Sequence, residues 1–427
     1  MWNKLMPVFV LIALYSCDDD GGGPCRRSND LEYCDADGVG GICIAGNCVA
    51  RANCENNCSE GVYFPLPDTN LRVCYGPSDE TANGEIPCSS NVGSDSCAQT
   101  ALCGQDAQYG WDTGHESNER FSVNSGDDTV ADNVTGFMWQ RCSAGQGEVC
   151  DGTAVMMNWA DAVSYCENLD AGGYNDWVLP GRFELQSIVD YSVQAPAMDT
   201  SVFVNTPSEF HNVYELWWSE CYWTYTDYAR DSDVAWALLI NSGDIGEGSG
   251  YEYHLNTKDA ADWDGCYVKC MRKTVDPPQQ TRFTVLSDTQ SGGIVADSSV
   301  SVLWQRCSAG QSGEDCTGEA TMMNWEQGLS YCESLELMGY DDWRLPNIRE
   351  ISSLIDSSRT SPAIDTSVFP NTPYYGKLMD NNAGHYWSST ARSYNNFVLY
   401  ADFSSGFTHF YIMEENRHIR CVRSVTP

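Results

Sequence analysis

The sequence predicts an α+β protein in which a small disulfide-rich region precedes two tandem copies of one domain. Three observations predict this class. The second part of the 427-residue chain repeats itself, and each copy begins with helical periodicity and ends with strand patterns. The chain also has 21 cysteines, which leave an even number for pairing once the cysteine at the end of a leader is set aside.

The N-terminus has the pattern of a secretory signal. Lys4 precedes an apolar run over 5–14 that is too short to span a bilayer as a helix. Ser16 before Cys17 resembles a bacterial lipobox, and the polar run 18–23 extends a tether over 17–24. We therefore expect a signal peptide over 1–16, a lipid on Cys17 and an exported, membrane-anchored lipoprotein, at the outer membrane or surface rather than the inner membrane. An ordinary signal peptide near a framework cysteine is the alternative.

The region 25–104 is rich in cysteine, glycine, asparagine and serine and has almost no periodic apolar pattern. Because so little apolar surface is available for a core, disulfides must supply the constraint. Zinc is not expected as the ligand of these thiols, since no Cys-x-x-Cys pair occurs and the six histidines are scattered. The pairing within the region stays open.

Two copies of one sequence, over 120–273 and 282–425, occupy the rest of the chain, and a Pro-rich linker over 274–281 joins them. The offset between matching residues is constant over most of the first half of each copy. The matching segments are FMWQRCSAGQ (137–146) with VLWQRCSAGQ (302–311), MMNW (156–159) with MMNW (322–325), SYCE (164–167) with SYCE (330–333), and DTSVF (199–203) with DTSVF (365–369).

Each copy is expected to start with two helices. In copy two, Asn324 is the predicted cap of a first helix whose buried face includes Trp325 and Cys332. A second helix is expected after Pro346, because Asn347 and Glu350 have the spacing of a capping box. Its buried residues would be Ile351, Leu354 and Ile355.

The end of copy two predicts strands. Helical periodicity is lost, and the segments 397–403, 407–412 and 419–423 are rich in aromatic and branched residues. Ser404-Ser405-Gly406 would turn the chain between the first two. Trp304, Trp325, Trp343 and Trp387 sit in apolar surroundings and are expected in the core.

Copy two also resembles a known family. The segments that resemble it are DWRLPNIRE (342–350), PAIDTSVFP (362–370), YWSST (386–390) and RCVR (420–423). They are similar to the DUF1566 family, also called the C-terminal domain of Legionella collagen-like adhesin. The resemblance implies a C-type-lectin-like fold for both copies and a secreted or surface location in bacteria. The adhesin for which the family is named binds sulfated polysaccharides.

The cysteines of the repeats fit that fold. Pairing Cys332 in the first helix with Cys421 in the last strand would join the two ends of the domain. The other expected pairs are Cys166–Cys270, Cys142–Cys150, Cys307–Cys316 and, by remainder, Cys221–Cys266. Copy one departs from the family pattern where Val178 replaces Arg344, Gly181 replaces Asn347, and Trp218-Ser219-Glu220-Cys221 is aligned with Trp387-Ser388-Ser389-Thr390. Copy two is therefore favoured as the copy that retains a family site.

Catalysis is not expected. Arg344 and Glu350 could form a catalytic pair, but an ion pair at a helix cap explains them better. The chain contains no Gly-x-Ser-x-Gly, His-Glu-x-x-His or phosphate-loop motif, and its cysteines have bonding roles. No cofactor or metal is expected, and the Glu-Pro-Asn tripeptide of calcium lectins is absent. The fold does host enzymes acting on sulfatase cysteines, so a lectin-fold enzyme stays a third alternative.

The net charge of −37, from 60 acidic and 23 basic residues, opposes binding to nucleic acid, anionic lipid or sulfated polysaccharide. We therefore expect recognition of a neutral glycan or a protein, with a structural envelope protein as the alternative. The ligand loop of a lectin-like domain lies between the second helix and the Trp-Ser motif. Its candidate residues are Tyr374, Tyr375, Lys377, Asp380, Asn381, Asn382 and His385 in copy two and Tyr214, Trp217, Trp223, Tyr225 and Tyr228 in copy one. An ordinary polar loop is the competing interpretation.

Overall fold

The computed structural model describes most of both copies and short stretches before them. The described residues are 33–36, 39–44, 47–50, 66–67, 69, 71, 73–75, 85–87, 104–106, 120–124, 126–147, 149–208, 210–213, 216–246, 258, 265–273, 282–374, 383–392 and 397–424. Contacts divide the chain into two compact units. One comprises Met1–Cys58, Gln279–Arg282 and Ser424–Pro427, and the other comprises Ser59–Pro278 and Phe283–Arg423, which includes both copies.

Short antiparallel strands are described before the repeat. β1 (Tyr33–Ala36), β2 (Val39–Ile44) and β3 (Asn47–Ala50) form one sheet, and β4 (Val73–Tyr75) pairs with β5 (Glu85–Pro87). Cys74, in β4, is fully buried and disulfide-bonded. The predicted signal peptide, Cys17 and the tether lie outside the described residues.

The elements described in copy one are two antiparallel sheets, a hairpin and the helices α1 (Trp159–Glu167) and α2 (Arg182–Ser187). The first sheet consists of β6 (Phe121–Asn124), β7 (Thr129–Asp132), β8 (Phe137–Gln140) and β14 (Met271–Lys273), in the order β14-β8-β7-β6. The second consists of β11 (Cys221–Tyr228), β12 (Asp231–Leu239) and β13 (Ile245–Gly246), after a hairpin of β9 (Phe210–Val213) and β10 (Leu216–Ser219).

Copy two repeats this plan. Its first sheet consists of β15 (Phe283–Leu286), β16 (Ile294–Asp297), β17 (Val302–Gln305) and β23 (Val422–Ser424). Its second has the order β18-β22-β19-β20-β21, from β18 (Met322–Met323), β19 (His385–Ala391), β20 (Phe397–Asp402), β21 (Thr408–Ile412) and β22 (Arg417–His418). The helices are α3 (Trp325–Glu333) and α4 (Ile348–Ser353). The predominance of strands with a few short helices confirms the α+β class. None of the described helices has the length and hydropathy of a membrane span.

The helices of copy two begin at the predicted caps. The side chain of Asn324 accepts a hydrogen bond from Gln327 N, and the Gln327 side chain accepts one from Asn324 N. Asn347 and Glu350 make the same reciprocal pair at α4. Each box satisfies backbone N–H groups that the first helical turn leaves without partners. The two helix predictions for copy two are confirmed.

The core and strand predictions hold with one difference. The four tryptophans assigned to the core are at most 1% exposed, and Ile351, Leu354 and Ile355 are at most 3% exposed. Of these three, only Ile351 lies within α4, which ends at Ser353. The first two predicted strands correspond to β20 and β21, and Gly406 turns the chain between them at φ 93°. The third predicted strand is shorter, since β23 starts at Val422. Ile419 and Cys421 instead lie outside the strand, where their carbonyls accept hydrogen bonds from Ala309 N and Gln305 N.

Five disulfides cross-link the copies internally. Cys166–Cys270 and Cys332–Cys421 join the first helix of each copy to the end of that copy. Cys142–Cys150 and Cys307–Cys316 close short loops, and Cys221–Cys266 is found in copy one. These are the pairs expected from the resemblance. Every sulfur is buried, so the bonds are part of the core of each copy.

Matching hydrogen bonds show which residues of the two copies are equivalent. Trp223 Nε1 donates to Met157 O, as Trp387 Nε1 donates to Met323 O. Tyr225 N donates to Pro180 O, as Ser389 N donates to Pro346 O. The Trp-Ser-Ser-Thr motif therefore corresponds to residues 223–226, and the alignment with 218–221 was wrong. The two copies differ in length after the second helix, and this difference shifted the sequence alignment of the motif.

The two copies share one apolar core. Leu185 and Ile188 of copy one belong to the same buried cluster as Ile351 and Leu354 of copy two. Helix α2 contacts α4, and strand β13 contacts β21, so each element meets its own equivalent. Ile245 N in β13, for example, donates to Thr408 Oγ1 at the matching position of β21, at 3.0 Å. The contact has the arrangement of a two-fold interface within one chain.

Arg349 of α4 reinforces this seam between the copies. Its guanidinium, 2% exposed, donates to Ser187 O at 3.3 Å and to Val189 O in copy one, and to Pro67 O at 2.6 Å. Asp106 also contacts copy two, since its carboxylate accepts hydrogen bonds from Thr69 Oγ1 and Thr390 Oγ1, and Thr69 O accepts one from Tyr191 N of copy one. The described part of residues 66–106 therefore covers the seam and contacts both copies.

Glu333 gives copy two a specific pH response. Burial raises the pKa of this carboxyl to about 7, although Arg344 acts in the opposite direction. The unfolded chain ionises Glu333 near pH 4. Its contribution to stability is therefore complete below that pH and is lost as the pH rises through about 7. Glu333→Gln should make unfolding in urea harder than in the parent at pH 8.5 and leave it nearly unchanged at pH 4. Glu167→Gln, at the exposed equivalent in copy one, is the control, and equal responses of the two variants would contradict the assignment.

Candidate ligand-binding site

An aromatic pair lies at the surface of copy one, where α1 meets β11. Trp159 is the first residue of α1, after the cap Asn158, whose side chain accepts from Asp161 N. The indole is half-buried, and its Nε1 donates to Thr224 O at 2.9 Å. The hydrogen bond fixes the indole against the strand and leaves one face available for Tyr225.

Tyr225 stacks on Trp159. The ring centroids are 5.8 Å apart, the planes differ by 29°, and Tyr225 is 58% exposed. A register irregularity in the β11–β12 pairing between Trp223 and Asp227 places Tyr225 where the strand leaves the regular ladder. Such irregularities often redirect a side chain. The backbone of Tyr225 is nevertheless held, because its N–H donates to Pro180 O at 2.8 Å.

A lysine that forms an ion pair with an aspartate lies next to the aromatic pair. Lys258 Nζ lies 4.4 Å from the centre of the Trp159 ring and 2.6 Å from Asp227 Oδ1. Asp231 and Asp233 follow on the exposed start of β12. The surroundings of the aromatic pair therefore offer both a donor and acceptors, with an excess of negative charge. Aromatic faces beside a few polar groups suit a sugar ring.

Copy two lacks this arrangement. Trp325, the equivalent of Trp159, is 0% exposed, although its Nε1 makes the matching bond to Ser388 O. Ser389 stands where copy one has Tyr225. The exposed stack is thus a property of copy one, which differs from the prediction that copy two is the better candidate for a retained site.

The structure places two of the predicted site residues of copy one in the core. Trp223 is 0% exposed and its indole donates inside the fold, so it is a core residue and cannot contact a ligand. Tyr228 is also buried and stacks on Phe407 in the seam. Tyr225 is the exposed one among the predicted aromatic residues of copy one whose side chains the structure describes. Trp159, by contrast, was not predicted as a site residue, since its helical spacing indicated a core position.

The loop predicted in copy two is only partly described. Tyr374 is half-buried, and so is His385, whose ring lies 4.7 Å from that of Tyr400. The residues that lie outside the described part are Tyr214, Tyr375, Lys377, Asp380, Asn381 and Asn382, together with the side chain of Trp217. Their role in binding stays a prediction.

Two described groups that could suggest catalysis or metal binding have structural partners. Arg344 and Glu350 form a buried bidentate ion pair, with both N–O distances 2.7 Å, and the same carboxylate completes the cap of α4. Asp128 lies beside Cys142 and Cys150, but these sulfurs are bonded to each other. A disulfide has no thiolate to offer a metal, so this described cluster is part of a cross-link.

These observations define an α+β, disulfide-cross-linked protein built from two fused copies of one domain. Residues 128–257 and 293–423 match the Lcl C-terminal domain family. The matched segments cover more than half of the chain, and the protein belongs to this family. The resemblance noted from the sequence is thereby confirmed for both copies. Comparison with curated proteins gives no match.

Proposed function

We propose that this protein is a non-catalytic recognition protein of the bacterial envelope that binds a neutral glycan through Trp159 and Tyr225. The membership of a family named for an adhesin domain favours a surface, adhesin-like role. The proposal includes a C-type-lectin-like fold for each copy. It also includes anchoring through a lipid on Cys17, which rests on the lipobox-like sequence before that residue.

The exposed stack carries the proposal. A tyrosine that is 58% exposed loses water-accessible apolar surface when a sugar ring packs on it, and its hydroxyl keeps access to water. The stacked indole and the hydrogen bond to Thr224 O hold the platform before a ligand arrives. A site ordered in advance needs less ordering entropy on binding.

The local charge favours an uncharged ligand. Lys258, the cation that lies over the Trp159 ring, is already neutralised by Asp227 at 2.6 Å. Asp231 and Asp233 add further negative charge beside it. Sulfate groups would be repelled here, in agreement with the net charge of −37. The sulfated polysaccharides associated with the family are therefore not the proposed ligand of copy one.

A glycan array tests this proposal on the full chain. We expect neutral glycans to bind with little change between about 50 and 200 mM salt, because no counterions are released. Binding to sulfated glycans that falls steeply with salt would contradict the charge argument. No binding to any glycan, together with retention of a protein from the same envelope, would favour a protein ligand or a structural role instead.

A further inference from the structure

Arg182 is a buried cation that packs on aromatic rings but has no hydrogen-bond or ion-pair partner among the residues that the structure describes. Its side chain, 1% exposed, lies over the ring of Trp236 at 4.1 Å and over Phe183 at 5.2 Å. Nε, Nη1 and Nη2 have no hydrogen-bond acceptor among the residues that the structure describes. No carboxylate of those residues forms an ion pair with it. An isolated buried charge costs several kcal/mol, so a compensating group is expected.

Comparison of the copies explains why the partner is missing. In copy two, Arg344 occupies the position of Val178 and pairs with Glu350 at 2.7 Å. In copy one the arginine stands four positions later, where copy two has the buried Ile348. The equivalent acid, Glu184, pairs with Lys273 at 3.0 Å. In copy one, therefore, the buried arginine is at a different position, and Glu184, the equivalent of its partner in copy two, is paired with Lys273.

The unpaired atoms of Arg182 and of the tryptophan against which it packs are donors. The indole Nε1 of Trp236, whose ring lies against the guanidinium, is buried and also has no acceptor in the described structure. A guanidinium and an indole can donate hydrogen bonds but cannot accept them. Water would satisfy some of these donors but would leave the charge uncompensated. Burial lowers the pKa of Arg182 to about 9, so the group is still charged at neutral pH.

We propose that Arg182 and Trp236 bind a small inorganic anion of the chloride type inside copy one. A monatomic anion accepts from several donors at once and fits a position that bulk solvent does not reach. Trp236 also packs edge-on against Phe407 of copy two, with ring centroids 5.2 Å apart. The anion therefore stabilises copy one at the face that forms the seam, and halide binding is linked to the stability of the joined copies.

Thermal unfolding of the full chain at constant ionic strength tests this site. The reference salt is sodium gluconate, whose anion is too large to enter the site. It is exchanged stepwise for sodium chloride or sodium bromide. We expect the unfolding midpoint to rise with the logarithm of the halide concentration above the Kd, by about 3 °C at 100 times the Kd. Arg182→Ile, which introduces the residue of copy two, should abolish the response. Arg230→Gln removes an exposed arginine and should retain it.

A bromide-soaked crystal of the unaltered protein decides the matter even when Arg182→Ile does not fold. An anomalous peak within hydrogen-bond distance of the Arg182 guanidinium supports the site. Water molecules alone at that position, with a midpoint that does not depend on halide, would overturn it.

Discussion

Arg344→Met is expected to lower the free energy of unfolding by about 3–5 kcal/mol. Arg344 and Glu350 have side chains only 5% and 6% exposed, and each guanidinium–carboxylate distance is 2.7 Å. Removing the arginine leaves the Glu350 charge buried with its cap contact to Asn347 N alone. Urea unfolding of the full chain, followed by tryptophan fluorescence, measures the loss.

Copy one supplies a matched control for this variant. Lys273 pairs with Glu184, the equivalent of Glu350, but the lysine is 43% exposed. Because water screens an exposed pair, Lys273→Met should cost less than about 1 kcal/mol. Similar losses for the two variants would show that burial does not set the strength of these pairs.

Arg349→Met should destabilise the protein by about 3–5 kcal/mol, since it leaves buried carbonyl oxygens without donors. The acceptors left without this donor are Val189 O on copy one and Pro67 O on the segment that covers the seam. Ser187 O also loses Arg349 but still accepts a hydrogen bond from Arg120 Nη2 at 2.8 Å. The unfolding midpoint in urea is the measurement. Arg359→Met, at a 42% exposed arginine paired with Asp356, should change it by less than about 1 kcal/mol.

The number of transitions in urea unfolding gives a second test of the seam. A shared core and the contacts of Arg349 predict that both copies unfold together in one transition. Two well-separated transitions in the parent protein would contradict the seam. A loss near zero for Arg349→Met would show that its carbonyl contacts are unimportant for stability.

Local signals explain what could be predicted from the sequence. The capping boxes at Asn324 and Asn347 involve residues three positions apart, so the start of each helix is encoded locally. The family resemblance similarly depended on contiguous motifs in copy two. The seam could not be predicted, because an apolar helix face does not reveal whether it packs within its own domain or against a second copy.

The candidate site depends on details of packing that sequence periodicity does not reveal. Trp159 and Trp325 occupy the same place in identical MMNW segments, yet only Trp159 is half-buried. Trp223 and Tyr225 lie two positions apart in one strand, yet the first is buried and the second is exposed where the pairing becomes irregular. Tertiary packing determines which aromatic residue reaches the surface. The difference in length between the two copies also misplaced the Trp-Ser motif in the alignment.

Calorimetric titration with the best neutral glycan from the array tests the central claim that copy one, and not copy two, binds through its exposed stack. The full chain should bind one glycan per chain, and Tyr225→Ser, which introduces the residue found at Ser389, should weaken binding at least about tenfold, or about 1.4 kcal/mol. Tyr411→Ser, at a 44% exposed tyrosine of copy two, should bind like the parent. Two glycans per chain, or full affinity in Tyr225→Ser, would contradict the account.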